Sequence, residues 1–312
     1  MSYESQMLRK LAMPTREQVK GALLRALLRH GGVVKEFGSG GQDVVDEIAR
    51  EFGLNEDQRS AVLQTVYKKE NRLKSVNLWN RLLFRVADLA AKEKLVSRPT
   101  QTIQLTSKRE WMLTENGFDR ALKLLNIPSS RKAQLPIKSF EVQKIVRTLS
   151  EAPRPENYNP INRDKKISRT TRESVLRSRG FRQAVIEAYS HRCSVCGLKI
   201  NSPDLLSWEV EAAHIVPNRS FGRDDIWNGL AFCRLHHWAF DVGWFTLSQD
   251  YRIEVSSRVG SLPSDQGWLG KFEVIRALES SKSRILLPAR EDIYPHPSAI
   301  AWHRQNVFGP KV

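Results

Sequence analysis

The sequence predicts an α+β protein in two parts, a helix-rich N-terminal domain with a small sheet and a C-terminal strand–strand–helix domain stapled by a metal ion. Three observations carry this. Apolar residues recur at helical spacing between residues 17 and 94, and short strand-like runs follow. All three cysteines and four of the seven histidines, His191 included, fall between residues 191 and 241. Between the two regions lies a basic stretch interrupted by Pro136, Pro153, Pro155 and Pro160. The expected division is 1–127, a linker at 128–171, and 172–312.

At 40% hydrophobic and 27% charged residues, the 312-residue chain has a globular composition, which argues against disorder throughout. Its charge is less ordinary. Fifty Lys and Arg against 34 Asp and Glu give +16 and a pI near 10.0, which favours a polyanionic partner through phosphate neutralisation. No apolar run approaches the roughly 20 residues of a membrane span, and no apolar leader core follows Met1. The expectation is a soluble cytoplasmic protein without a membrane partner. An odd cysteine count with one C-x-x-C pair fits metal ligation in a reducing compartment better than a disulfide framework.

Residues 1–16 are polar, contain Pro14 and read as a frayed entry. Val19, Leu23, Leu24, Leu27 and Leu28 then mark a first amphipathic helix, stopped by Gly31-Gly32. Past a turn containing Gly38, Gly40 and Gly41, Val44, Val45, Ile48 and Phe52 mark a second helix. A third is expected from Asn55, with Leu63 and Val66 on one face. From Trp79 to Lys94 the pattern places Trp79, Leu82, Leu83, Val86, Leu89 and Ala90 inward, with Asn80, Arg81, Arg85, Asp88 and Lys92 outward. Leu95-Val96 and Thr102-Ile103-Gln104-Leu105 read as strands, Ser107-Lys108-Arg109 as a hairpin tip, and Glu110–Leu113 as the returning strand. A last helix starts at Thr114.

This order resembles a winged helix, in particular the Mrr-type N-terminal domain found beside restriction nucleases. The likeness covers roughly residues 15–127 and rests on Gly-Leu-Asn-Glu-Asp at 53–57, Leu95-Val96, and Leu113-Thr114-Glu115-Asn116-Gly117. The aromatic pattern of that family's third helix is only partly matched, around Phe84, and the wing is longer. The resemblance implies that Asn80, Arg81 and Arg85 face DNA bases while Lys108 and Arg109 touch phosphate.

Residues 129–182 carry fourteen Lys and Arg against five Asp and Glu, a net +9, and read as a linker following the phosphate backbone. Its end, from Arg172 to Tyr189, turns helical with Phe181, Val185, Ile186 and Tyr189 on one side.

Cys193-x-x-Cys196 and, after 36 intervening residues, Cys233-x-x-His236 supply four ligands in two knuckles, the pattern of a closed tetrahedral zinc site. With no open position, such a Zn²⁺ is structural, and its binding helps fold a segment with a small core. The segment holds more than that site needs. Trp208–Val216 reads as a strand carrying His214, Leu230-Ala231-Phe232 as a second strand, and Arg234–Phe240 as a helix.

This spacing resembles the HNH nuclease motif, a ββα-metal unit, and across about residues 172–308 its McrA-like restriction branch. Phe181-Arg182, Cys193-x-x-Cys196-Gly197, Ala212-Ala213-His214-Ile215, Asn228-Gly229-Leu230 and Cys233-x-x-His236-His237-x-x-Phe240-Asp241 occur in that branch's order. Pro295-His296-Pro297 and Trp302-His303-Arg304 resemble its C-terminal element. The resemblance implies a DNA endonuclease using one catalytic divalent ion, Mg²⁺ or Mn²⁺, beside the zinc. His214 suits the general base and His237 a ligand of the catalytic ion, pointing about 100° around the helix from His236. Asn228 is expected to hold the loop and orient His214 by hydrogen bonding. Many HNH sites carry an Asp just before the base, where this chain has Ala213. Glu211 shares the Ala213 face of the strand and is the candidate second ligand, with Asp241, Asp225 or solvent as alternatives.

The implied protein resembles type IV, modification-dependent restriction enzymes acting on double-stranded, base-modified DNA. One site cuts one strand, so a double-strand break predicts a homodimer or two sequential binding events. The sequence leaves two other readings open, a zinc-bearing DNA-binding regulator with a vestigial nuclease site and a homing or repair nuclease of a mobile element.

Overall fold

A computed structural model describes residues 2–37, 40–67, 72–163, 171–203, 207–263, 266, 268–269, 272–273, 278 and 284–309. It divides into two compact units, residues 1–144 and the remainder, and the boundary falls inside one helix.

The first unit starts with helix α1 (Tyr3–Lys10), where a frayed entry was expected. Ser2 caps it by accepting from the Ser5 amide, and Glu4, in its first turn, is buried. Helix α2 (Arg16–Arg29) has a Thr15–Gln18 capping box and buries the apolar stripe read from the sequence. After Gly31 and Gly32, both at positive φ, comes strand β1 (Val33–Lys35), which the pattern had not revealed. Helix α3 (Gln42–Glu51) matches the second helix.

The third expected helix is corrected. Only Glu56–Ser60 is helical (α4), and Leu63 and Val66 lie on strand β2 (Val62–Tyr67), paired antiparallel with β3 (Arg72–Asn77). Three-residue spacing fitted a helix face, but Val62, Thr65, Val66 and Tyr67 are β-branched or aromatic, and cross-strand pairing decides.

Helix α5 (Leu78–Lys92) forms as read, capped by Asn77, with Leu78, Trp79, Leu82, Leu83, Val86, Ala87 and Ala90 buried. Strand β4 (Val96–Ser97) follows. The expected hairpin at 102–113 is then overturned in its first arm, because Pro99–Thr106 is a helix, α6, with Pro99 at its first turn. Ser107, at φ 58°, ends it. Strand β5 (Glu110–Leu113) does return, and pairs with both β1 and β4 in the order β1-β5-β4, all antiparallel. Helix α7 (Glu115–Leu124) is capped by Thr114 and packs on α2. Gly117 is required there, since a Cβ would lie 1.8 Å from the Leu95 carbonyl oxygen.

The stretch read as linker contains helix α8 (Phe140–Glu151), missed because the prolines around it hide a single short amphipathic run. Residues 164–170 of that stretch lie outside the described residues.

In the second unit, helix α9 (Thr171–Ala188) buries Phe181, Ala184 and Val185 against an antiparallel pair, β6 (Val210–His214) and β7 (Gly229–Cys233). Helix α10 (Arg234–Asp241) follows β7 directly, so strand, strand and helix occur as expected. Hairpin β8 (Phe245–Leu247)–β9 (Ile253–Val255) and helix α11 (Pro297–His303) complete the packing. Phe232, Phe240 and Phe245 form the aromatic centre of this unit, all buried. The C-terminal element clasps the loop before β7: Trp227 Nε1 donates to the Asp292 carbonyl and the His296 amide donates to the Trp227 carbonyl. Among the described residues, no helix is long and apolar enough to cross a membrane.

Candidate nuclease centre and metal cluster

Cys193, Cys196, Cys233 and His236 converge, their four ligand atoms all within 4.8 Å of one another. Cys193 Sγ lies 3.6 Å from His236 Nδ1, Cys233 Sγ 3.0 Å from it, and Cys196 Sγ 4.0 Å from Cys233 Sγ. A tetrahedral ion about 2.3 Å from each sulfur sets sulfurs about 3.8 Å apart, so the cluster could hold a metal ion with little movement. The first knuckle is a tight turn in which the Gly197 amide donates to the Cys193 carbonyl, with Gly197 at φ 72°. The Ser194 amide bonds the Ala231 carbonyl of β7, tying this turn to the strand that delivers Cys233. Hydrogen bonds from Cys196 and Cys233, opposed by burial, hold the Cys193 thiol well below its usual range.

His214 ends β6 and stacks on Phe181 of α9, ring centres 4.0 Å apart and planes 18° off parallel. Its Nε2 lies 3.0 Å from Asp224 Oδ1, and Asp224 is 4% exposed. Arg177, one turn before Phe181 on α9, approaches Asp224 Oδ2 at 3.6 Å and Asp225 Oδ1 at 3.7 Å.

Asn228 is fully buried and clamps backbone, not the ring. Its Oδ1 accepts from the Val216 amide, and its Nδ2 donates to the Val216 and Arg223 carbonyls. It therefore clamps the loop backbone, while the His214 ring is hydrogen-bonded to Asp224. No spacing rule pointed to Asp224, which lies ten residues beyond His214 across an irregular loop. Gly222 sits where that loop folds on itself, and a Cβ there would lie 1.7 Å from the Val216 carbonyl oxygen.

His237 projects from α10 beside His236. Its Nδ1 is 3.2 Å from Glu211 Oε2, and its Nε2 is 3.7 Å from Asp241 Oδ2 one turn on. Burial works against a charged His237, but the Glu211 hydrogen bond and the Asp241 and Glu211 charges outweigh it, leaving the imidazole pKa raised. The same hydrogen bond holds the Glu211 carboxyl below its usual range. Burial raises the Asp241 carboxyl, opposed by the charges of His237, Arg219 and His214, so Asp241 lies within the field of both histidines.

The expected DNA-facing side chains fall less simply. Asn80 is half-buried on α5. Arg81 Nε and Arg85 Nη2 both bind Glu4 Oε2, at 2.9 and 3.0 Å, so α1 already occupies their charge. Lys108 is exposed, and Arg109 is paired with Glu36 at 2.8 Å. Both lie after α6 rather than at a hairpin tip.

Residues 193–248 match the family model described as HNH_2, HNH endonuclease. They form an HNH endonuclease domain. A solved structure titled "Modification dependent TagI restriction endonuclease" is similar at a TM-score of 0.30 and 20% identity, over 45% of this chain and 44% of that one. This chain thus spans less than half the length of that relative. No curated protein matches the sequence.

Proposed function

We propose that the HNH domain hydrolyses phosphodiester bonds of double-stranded DNA, with His214 as general base and His237 as ligand of one catalytic Mg²⁺ or Mn²⁺. The observation that carries this is the placement of His214 at the end of β6, Asn228 in the turn immediately before β7 and His237 on α10, within one ββα unit. A bound divalent ion would supply charge neutralisation at the phosphate and the leaving oxygen. Zn²⁺ in the Cys193, Cys196, Cys233 and His236 cluster would be structural.

The two ring nitrogens of His237 divide its neighbours. With Nδ1 engaged by Glu211, the nitrogen left to face an ion is Nε2, the side on which Asp241 stands. Asp241 then suits the second protein ligand and Glu211 the outer partner that fixes the ring, as carboxylates behind metal-bound histidines commonly do. The absence of an acid at Ala213 is met by an acid on the helix.

The N-terminal unit supports targeting by a winged helix. Helices α2 and α5 pack on a sheet in which β5 lies between β1 and β4, α3 packs on α2, and α5 precedes β4. Asn80, Arg81 and Arg85 on α5, with Lys108 and Arg109, are its candidate DNA contacts. Restriction of base-modified DNA is the narrower reading, and it rests on the pairing of such a unit with an HNH domain. Cleavage of both strands calls for a homodimer or two successive encounters.

The test is incubation of purified protein with unmodified, adenine-methylated and cytosine-modified plasmid in Mg²⁺ or Mn²⁺. Cutting confined to a modified plasmid is expected. Equal cutting of all three removes modification dependence, and no cutting of any favours a DNA-binding regulator. His214→Ala should abolish cleavage while zinc content and DNA binding persist.

A further inference from the structure

We infer that Asp224 is the positioning residue of the nuclease base, fixing both the flip and the tautomer of the His214 imidazole; this rests on the reading of His214 as that base. Stacking on Phe181 sets the plane of the ring. It leaves two orientations, because a half-turn about Cβ–Cγ exchanges nitrogen and carbon positions within that plane. The Asn228 clamp fixes only the backbone on either side of the loop. Asp224 removes the remaining freedom.

A carboxylate only accepts, so the 3.0 Å contact makes His214 Nε2 the donor and leaves Nδ1 unprotonated. Nδ1 makes no hydrogen bond among the described residues. Arg177 stands behind the other oxygen of Asp224, and Phe181 lies one turn further along the same helix, so α9 supports both constraints on the ring. At 4% exposure Asp224 meets little competition from water. In the reaction, Nδ1 takes a proton from a water whose oxygen forms the new P–O bond. One bridging P–O bond breaks, and its oxygen takes a proton from solvent. Asp224 stays ionised and stabilises the imidazolium, the role an aspartate plays behind a histidine base in hydrolytic triads.

The experiment compares full-length protein with Asp224→Asn, His214→Ala and Asp224→Glu. In Asp224→Asn the amide can turn its NH₂ toward the ring and select the other tautomer. We expect kcat to fall by at least about 100-fold with KM for DNA held within about threefold. In ¹⁵N-histidine NMR, the signal assigned to His214 by its loss in His214→Ala should read Nε2–H in wild type and Nδ1–H in Asp224→Asn. Asp224→Glu, retaining an acceptor, should recover part of the kcat. Full activity of Asp224→Asn beside a dead His214→Ala overturns the positioning role and leaves the base intact. Activity in His214→Ala instead removes the base reading itself. A wild-type Nδ1–H tautomer overturns the inference without any cleavage assay and needs only His214→Ala to fold. Loss of Mn²⁺ binding in Asp224→Asn with an unchanged tautomer would make Asp224 a metal ligand and also overturn it.

Discussion

At the scale of single residues, His214, His237 and His303 are assigned by what their ring nitrogens meet. His303 shows the consequence for stability. Its Nε2 donates to the Phe240 carbonyl at 3.0 Å, so Nδ1, 2.9 Å from Thr246 Oγ1, is the acceptor, and the ring stacks on Phe240 at 3.7 Å. Burial lowers its pKa to about 4 from 6.5. The unfolded chain therefore binds the extra proton first as pH falls. His303 costs nothing above about pH 6.5, and stability drops between there and pH 4 by on the order of 3 kcal/mol at most. Urea unfolding at pH 7.5, 5.5 and 4.5 should show this loss, and His303→Gln should flatten it by up to one proton. At His237 the expectation concerns metal. Glu211→Gln should weaken Mn²⁺ binding by about 10- to 100-fold, read by calorimetry, since an outer carboxylate orients the ligand without holding the ion. The Cys₃His cluster was legible in the sequence because holding one ion calls for two-residue spacing in each knuckle. Asp224 was not, because a contact across a loop obeys no period.

At the scale of elements, legibility followed how strongly local pattern and tertiary pairing agree. Helices α2, α3 and α5 show long apolar stripes and formed as read. The short runs at 62–67 and 102–105 are ambiguous in periodicity; strand pairing with 72–77 decided the first, and Pro99 with the Ser107 stop decided the second. Helix α1 carried too weak a stripe to read, and its influence lies in one buried acid. Because Glu4 occupies Arg81 and Arg85, Glu4→Gln should raise affinity for duplex DNA and steepen the salt dependence of binding by about one to two released ions, if those arginines meet phosphate. Unchanged affinity in a fluorescence-anisotropy titration across salt would remove α5 from the DNA-facing surface.

At the scale of the whole molecule, the two units differ in what stabilises them. The first has a broad aliphatic core from Val19 to Ile137 and contains no cysteine. The second contains the Cys₃His cluster, for which structural zinc can contribute on the order of 10 kcal/mol or more. Chelation should therefore abolish the unfolding transition of residues 145–312 in calorimetry and leave that of residues 1–144 nearly unmoved. Two coupled losses would show that neither unit is independent. The division itself was only partly visible in the sequence, since the boundary falls within α8, inside the proline-rich stretch that read as a spacer.

His236 and His237 share a peptide bond on a helix of eight residues. Helical geometry locks their directions about 100° apart with a rise of about 1.5 Å, and no loop slack lies between them to absorb an extra residue. An insertion that slips α10 by one position turns one histidine or the other away from its neighbours, so by the proposed roles the same change would disable either the scaffold or the chemistry. A residue added in the turn Ser248–Tyr251 between β8 and β9 should by contrast be tolerated, because it lengthens a hairpin turn without changing the phase of α10.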